Sequence, residues 1–283
     1  MTLVVRQSRF LRYNAGAFVS AGEACLVDPG IAPDEIDSLV AELEGAAVRW
    51  IVLTHADWDH VLGPERLAPA PVVAHERYAA SLDPAGIRAA LAQLEEHAGI
   101  TRERPFEPPV PELTFATATT LRVGELELRL EHAPGHTADM LTVYEPETAT
   151  LWAADCLSDA EIPLVVHDLG AYEETLARLA ELKTAALVPG HGTPTDEAGE
   201  IARRLDEDRG YLAELRSSVQ ESVAAGRGLH EAVEAARCVS LRRSPEDETV
   251  HRLNTEKVYA DVGGGAEPTQ VGFARAWTEA TRA

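Results

Sequence analysis

At four separate places in this chain, an apolar segment of strand length is closely followed by a histidine or an aspartate. The four residues are His55, His136, Asp155 and His191. Short apolar runs bounded by Gly and Pro predict buried strands. Ligand-type side chains at the ends of several strands are expected to converge at one edge of a sheet sandwich. This pattern favours a layered fold built on β-sheet, with a polar site assembled from four distant segments.

The densest of these places is Leu53-Thr54-His55-Ala56-Asp57-Trp58-Asp59-His60, which follows the apolar run 48–52. It holds four side chains with oxygen or nitrogen donors within six residues, a density typical of a metal site. The alternative is a solvated polar loop, but such a loop is built from turn formers rather than paired histidines. Alternate side chains of an extended chain point the same way, so His55, Asp57 and Asp59 converge only where the strand becomes a loop.

The predicted elements alternate between strands and helices, which is typical of an α/β chain. Up to residue 97 we predict strands at 3–5, 17–19, 24–27, 48–53 and 72–74, with helices at 33–43 and 84–97. A Pro-rich connector at 105–111 precedes strands at 113–115, 120–123, 126–131, 141–144 and 150–153, a helix at 172–182 and a strand at 185–188. The chemistry is therefore expected at the carboxyl ends of strands, where α/β layers place it.

From residue 196 onward the pattern changes to helices. They are predicted within 201–219, 229–238, 249–259 and 271–277, with Gly263 to Gly265 between the last two. We interpret residues 1–195 as one α/β domain. Residues 196–283 are interpreted as a C-terminal α-helical appendage packed on the β core, not as an independent domain.

Composition excludes several classes of partner. The chain has 25 basic and 47 acidic residues and a formal charge of -22, which disfavours nucleic acids and anionic membranes because these need clustered Lys and Arg.

Three distant cysteines, Cys25, Cys156 and Cys238, predict neither a disulfide framework nor a thiolate zinc site. No apolar run follows Arg6 and Arg9 as in a secretory leader, and none has the length of a membrane span. We therefore expect a cytoplasmic protein.

The order of the polar motifs resembles the metallo-β-lactamase superfamily over roughly residues 1–195. Its members carry an HxHxDH motif, a histidine in a PGH segment, an aspartate after an apolar strand and a final histidine. The resemblance implies an αββα four-layer sandwich with a two-metal site between the sheets and a C-terminal helical appendage. It also implies that His55, Asp57, His136 and Asp155 hold one metal, that Asp59, His60, Asp155 and His191 hold the other, and that Asp155 bridges the two.

The departure from the family pattern is Asp57, which makes the motif HxDxDH. With Asp57, Asp59 and Asp155, three carboxylates face the four positive charges of two divalent ions, so the pair becomes less electrophilic. Zinc is the first expectation, with manganese or iron as alternatives because harder ions suit carboxylates. Weak occupancy of one site is a further option. The flavodiiron branch also has a carboxylate here, but it carries a flavin-binding domain for which this chain has neither room nor a glycine motif.

The resemblance implies a metal-dependent hydrolase of a small-molecule ester, thioester or lactone, in which metal-bound hydroxide attacks a carbonyl. Asp59 is then both a ligand and the catalytic group that orients the water or carries its proton. The acidity of the chain disfavours the nuclease branch. Two alternatives stay open: an iron oxidoreductase similar to persulfide dioxygenases, using His55, His136 and Asp155, and a metal-binding protein without turnover. The expected partner is a small molecule, and a homodimer is one option for assembly.

Other candidate residues are assigned mainly structural roles. His75 and His132 are expected to be structural, and Cys156 to pack in the core. His167 is a candidate for the substrate pocket. Trp58 is expected to point away from the metals, either lining the entrance or lying in the core. His97, His230 and His251 lie in predicted helices and are expected to be exposed.

Overall fold

The computed structural model describes residues 1–67, 69–241, 243–245 and 247–263. The helix predicted at 271–277, and two of the three glycines predicted to precede it, lie outside the described residues. Over the described residues, eleven strands form two sheets. No helix in this part of the chain combines the length and the apolar composition needed to cross a membrane.

The first sheet contains, in spatial order, β1 (Thr2–Gln7), β2 (Asn14–Ser20), β3 (Glu23–Val27), β4 (Ala47–Val52), β5 (Val72–His75) and β6 (Leu113–Phe115). β1, β2 and β3 pair antiparallel, and the remaining neighbours pair parallel. Parallel neighbours need a crossover connection, and α1 (Pro33–Ala41) supplies it between β3 and β4. A 3₁₀ helix (Gly63–Arg66), a four-residue helix α2 (Tyr78–Ser81) and α3 (Pro84–Ala98) lie among the later connections.

The second sheet contains β7 (Ala118–Val123), β8 (Leu126–His132), β9 (Leu141–Glu145), β10 (Thr150–Trp152) and β11 (Ala186–Val188), in the spatial order β11-β10-β9-β8-β7. β7 to β10 pair antiparallel, and β10 pairs parallel with β11. The crossover between these last two strands is α4 (Leu169–Glu181). Its amino end is capped by Asp168, whose carboxylate accepts the amide of Ala171. The helix therefore begins three residues before the predicted start.

Three apolar clusters fill the spaces between the layers. Phe18 and Val52 of the first sheet meet Leu128 and Val143 of the second in the cluster between the sheets. The outer face of the first sheet packs against α1 and α3, and the outer face of the second packs against α4. Along β8, Leu126, Leu128 and Leu130 are buried while the residues between them are not, as expected of a strand covered on one face. The fold is an αββα sandwich, and this prediction is confirmed.

The C-terminal helices α5 (Ala198–Ala224), α6 (Leu229–Ala236) and α7 (Asp247–Asp261) pack on the second sheet and α4. Leu212 and Leu215 of α5 share one apolar cluster with Leu176 of α4 and Leu187 of β11. The helices therefore cover the β core, as expected, whereas the boundary between residues 195 and 196 stays a prediction.

The prediction that His251 is exposed is wrong. This α7 residue is only 3% exposed. Its Nε2 lies 2.9 Å from the carbonyl oxygen of Ala236, and its Nδ1 lies 3.0 Å from the hydroxyl of Tyr211. The buried face of α7 also includes polar residues such as Asn254 and Thr255, so hydrophobic periodicity could not reveal it. His97 and His230 are exposed, as predicted.

Candidate metal centre

The structure brings all seven predicted site residues together at one end of the sandwich. The residues from 55 to 60 follow β4, His136 lies between β8 and β9, Asp155 follows β10 and His191 follows β11. Close approaches join different segments: His136 Nε2 to Asp57 Oδ2 at 3.2 Å, His191 Nε2 to Asp59 Oδ2 at 3.2 Å, and His60 Nε2 to Asp155 Oδ1 at 3.3 Å.

These side chains form two groups on either side of Asp155. One group contains His55, Asp57 and His136, and the other contains Asp59, His60 and His191; within each group the ligand atoms lie within 4.8 Å of one another. Oδ2 of Asp155 lies 3.6 Å from His55 Nε2, 3.4 Å from His136 Nε2 and 3.6 Å from His191 Nε2. The predicted ligand sets are therefore adjacent in space, with Asp155 between them.

A neighbouring oxygen holds the Nδ1 atom of each histidine in the centre. The partners are Thr54 Oγ1 for His55 at 3.0 Å, Asp28 Oδ2 for His60 at 2.9 Å, the Leu164 carbonyl for His136 at 2.9 Å and the Leu11 carbonyl for His191 at 3.0 Å. Carbonyl and carboxylate oxygens only accept, so Nδ1 is the donor in the contacts of His60, His136 and His191. Each ring is thereby oriented with Nε2 toward the centre, an arrangement typical of histidines that bind metals.

Asp28 is a site residue that the sequence analysis missed. Its buried carboxylate accepts hydrogen bonds from the Thr54 amide at 2.8 Å and the Thr54 hydroxyl at 2.6 Å in addition to the contact with His60. Its backbone has a φ of 43°, and its carbonyl accepts a hydrogen bond from the Tyr13 hydroxyl at 2.9 Å. Asp28 directly follows the apolar run 24–27, so the pattern that identified the other site residues could also have identified it.

Gly190 allows His191 and Asp155 to approach each other. A Cβ atom added at Gly190 would lie 2.3 Å from Asp155 Oδ1, which is far inside van der Waals contact. Asn14 fixes the same turn, since its Nδ2 donates to the carbonyls of Pro189 at 2.9 Å and Gly192 at 2.8 Å. The glycine of this Pro-Gly-His segment is therefore required by the geometry of the centre.

The unpartnered polar atoms of the centre fit divalent metal ions. His55 Nε2, His60 Nε2, His191 Nε2, both carboxylate oxygens of Asp59 and Oδ1 of Asp155 are buried and form no hydrogen bond within the described part of the chain. A buried polar atom left without a partner costs about 1–3 kcal/mol. Imidazole nitrogens and carboxylate oxygens are the ligands that zinc and other divalent ions take. The donor set and its geometry therefore suit two such ions.

A family model described as the metallo-beta-lactamase superfamily matches residues 9–191. The chain belongs to this superfamily. The fold and the order of the polar motifs agree with that assignment, and the resemblance noted in the sequence is confirmed.

Individual members show how far the likeness extends. The chain is 26% identical to the lactamase-like protein aptB of Emericella nidulans over 67% of this chain and 53% of that protein; it thus spans about half the length of that relative. It is 29% identical to the atrochrysone carboxyl ACP thioesterase AgnL7 of Paecilomyces divaricatus over 71% of this chain and 61% of that protein. A metallo-beta-lactamase family protein of Thermus thermophilus shares the fold, with a TM-score of 0.62, 23% identity and coverage of 90% of this chain and 92% of that one.

The electrostatics of the metal-free centre are governed by the close approach of histidines and carboxylates. Burial by itself lowers the pKa of His136, but the hydrogen bond to Asp57 and the charge of Asp155 outweigh it and raise the pKa to about 9. Burial is likewise outweighed at His191 by Glu161, Asp155 and Asp59, which raise its pKa to about 10. In the absence of metal, both rings therefore carry a second proton at neutral pH.

We predict that metal uptake at pH 7.5 releases protons and that metal affinity rises with pH up to about pH 10. The reason is that a metal ion and a proton compete for the same Nε2 atom, and both His136 and His191 have a pKa above 7.5. Calorimetric titration of metal-free protein in two buffers of different ionisation enthalpy measures the effect. At least two protons are expected per centre, because burial is outweighed at His60 too, where the charges of Asp155, Asp59 and Asp28 raise the pKa. A binding enthalpy that is the same in both buffers would contradict the prediction.

The remaining histidines near the cleft have structural contacts. The rings of His75 and His132 stack at 3.8 Å with an angle of 11° between their planes. Their Nε2 atoms lie 2.8 Å and 2.9 Å from the carbonyls of Ala116 and Ala138, so neither ring is directed at the centre as a ligand. Trp58 is 2% exposed and belongs to the core. The substrate role of His167 stays a prediction.

Glu161 is a second residue that the sequence analysis missed. It forms a further group with Asp155 and His191 in which the ligand atoms lie within 4.8 Å of one another. Burial, together with the charges of Asp155 and Asp59, outweighs the attraction of His191 and raises the pKa of Glu161 to about 7. Glu161 follows the loop residues Ser158, Asp159 and Ala160 rather than an apolar strand, so no signal in the sequence distinguished it from a surface acid.

Proposed function

We propose that this chain is a metal-dependent hydrolase of a small-molecule ester, thioester or lactone, with a binuclear centre. The observation that carries the proposal is the pair of ligand-type groups that share Asp155. A centre with a single ion would need only one of them, yet Asp59, His60 and His191 form a complete second group. This group also favours hydrolysis over the alternative of an iron oxidoreductase that uses His55, His136 and Asp155 alone.

The ligand roles follow from the two groups. His55, Asp57, His136 and Asp155 would hold one ion, and Asp59, His60, His191 and Asp155 would hold the other. When bound, two divalent ions lower the pKa of a water and polarise a carbonyl oxygen. Zinc is the first candidate. Manganese and iron are alternatives because Asp57 adds an anionic oxygen where imidazole is usual in the family.

Asp59 is placed to take part in proton transfer. Both of its carboxylate oxygens are buried and form no hydrogen bond within the described residues. Oδ2 lies 3.2 Å from His191 Nε2 and 3.8 Å from His60 Nε2, so Asp59 is close to the other members of its group. One oxygen can serve as a ligand while the other orients the attacking water and accepts its proton.

The relatives support acyl substrates within the hydrolase class. AgnL7 is named as an atrochrysone carboxyl ACP thioesterase, and for the present chain we propose thioesters as the first substrates to test. Esters and lactones present the same acyl carbon to an attacking water, so they remain in the proposed class.

The test is a substrate panel with controlled metal content. Protein stripped of metal is reloaded separately with zinc, manganese or ferrous iron, its metal content is measured by elemental analysis, and a thioester, an aryl ester and a lactone are supplied. We expect two ions per chain and hydrolysis of at least one substrate, with the stripped protein as the inactive control. A protein that binds its metal but hydrolyses none of them would contradict the proposal. One iron per chain with oxygen consumption would favour the oxidoreductase instead.

A further inference from the structure

Glu161 returns to the metal centre from the loop that joins β10 to α4. The loop begins next to Asp155, and six residues later the Glu161 carboxylate lies within 4.8 Å of ligand atoms of both Asp155 and His191. His191 is almost completely buried, at 1% exposure, whereas Glu161 is partly exposed. The carboxylate therefore lies beside the second ligand group.

Hydrogen bonds fix the backbone of Glu161, whereas its carboxylate is available to bind a ligand. Its amide donates to Ser158 Oγ at 3.2 Å, and its carbonyl accepts a hydrogen bond from Arg243 Nη1 at 2.8 Å. The next amide, that of Ile162, donates to Asp247 at 3.4 Å. Among the described residues, none donates a hydrogen bond to the carboxylate of Glu161. The loop thus fixes the position of the Glu161 backbone, and the carboxylate oxygens of Glu161 can still bind an ion.

The distances suit coordination of a shared ion. Two protein ligands that each lie about 2.0–2.2 Å from one ion can be no more than about 4.4 Å apart. The ligand atoms of Asp155, Glu161 and His191 lie within 4.8 Å of one another. This distance exceeds the maximum for a shared ion by less than about half an ångström. Rotation about the side-chain bonds of a partly exposed glutamate covers such a difference. Within the described residues, the buried His191 Nε2 forms no hydrogen bond and lies 3.6 Å from Asp155 Oδ2, so an ion bound by His191 and Asp155 would lie beside Glu161.

We propose that Glu161 is a further ligand of the ion held by Asp59, His60 and His191, and that it shifts this site toward hard divalent cations such as Mn²⁺. The proposal rests on the binuclear centre of the proposed function. With Glu161 the centre has four carboxylates, so its negative charge equals the positive charge of two divalent ions. Oxygen-rich sites suit Mn²⁺, whereas imidazole suits Zn²⁺.

The test measures metal binding without any substrate. Full-length metal-free protein is titrated with Mn²⁺ and, separately, with Zn²⁺, and both Kd values are determined for the wild type, Glu161→Gln and Glu161→Asp. In Glu161→Gln we expect one Mn²⁺ Kd to rise about tenfold or more, with a smaller change for Zn²⁺ and no change at the other site. The matched control is Glu181→Gln, which removes the same charge from an exposed position at the end of α4.

The outcomes separate a ligand from a merely nearby charge. Glu161→Asp keeps the charge but shortens the side chain. If the carboxylate is a ligand, this variant should still weaken Mn²⁺ binding, although less than Glu161→Gln does; if the carboxylate acts only as a nearby charge, the Mn²⁺ Kd should stay at the wild-type value. Circular dichroism checks that each variant is folded. Mn²⁺ Kd values for Glu161→Gln within twofold of the wild type, or a wild type that takes up no second ion, would overturn the proposal. Failure of the substrate panel with Glu161-dependent Mn²⁺ binding intact would refute only the hydrolase function.

Discussion

Replacing Asp59 with asparagine or alanine is expected to lower kcat/KM for hydrolysis by about 10³-fold or more while leaving the fold largely intact. Both Asp59 oxygens are buried at the centre and form no hydrogen bond within the described chain. An asparagine amide is neutral and has only one acceptor oxygen, so it cannot both bind an ion and accept a proton. A loss of about 4 kcal/mol of transition-state stabilisation corresponds to about 10³ in rate. His60→Ala is expected to abolish hydrolysis as well.

The measurement compares metal-restored variants at known metal content. Asp196→Asn is the matched control, because it makes the same chemical change at an exposed position five residues beyond His191 and should retain full activity. Elemental analysis separates loss of the ion from loss of proton transfer. If Asp59→Asn kept more than about a tenth of the wild-type kcat/KM, the role proposed for Asp59 would be wrong.

Replacing Arg243 with methionine is expected to destabilise the protein by about 3 kcal/mol. The side chain of Arg243 is 7% exposed and pairs at 2.8 Å with Asp208, which is 1% exposed. It also pairs with Glu207 at 3.0 Å and donates to the Glu161 carbonyl. Removing one member of a buried ion pair leaves the other charge without compensation. Burial outweighs Arg243 and raises the pKa of Asp208 to about 6. Without Arg243 this pKa is higher still, so Asp208 in the variant takes up a proton already above pH 6, and this uptake reduces the loss.

Urea denaturation measures the change in the free energy of unfolding. Two further variants test whether this change arises from the burial of the ion pair. Arg203→Met, on the same helix as Asp208, removes exposed pairs with Glu200 and Glu207 and should cost less than about 1 kcal/mol. Adding Asp208→Asn to Arg243→Met should recover part of the loss, because no buried charge then remains. Equal losses for Arg203→Met and Arg243→Met would show that burial of the pair is not the cause.

The strands and helices that could be predicted are those marked by an apolar run or by apolar periodicity in their own sequence. The run 48–52 ends a strand directly before the dense motif, and β4 ends at Val52; apolar periodicity also located α3 and α5. The burial of His251 could not be predicted in this way, because its partners Tyr211 and Ala236 belong to other helices. The two shortest helices and the early start of α4 depend on turns and a cap rather than on apolar periodicity.

The sequence by itself determined the layered α/β class, the family and the seven residues of the candidate centre, because each of these residues lies next to an apolar run or in a motif that can be recognised locally. Only the tertiary structure decided that Asp28 orients His60 and that Glu161 faces the same centre. Glu161 is positioned through a contact with Arg243, 82 residues away along the chain. Contacts of this kind depend on how the C-terminal helices pack against the loop after β10, and no local pattern of residues encodes that packing.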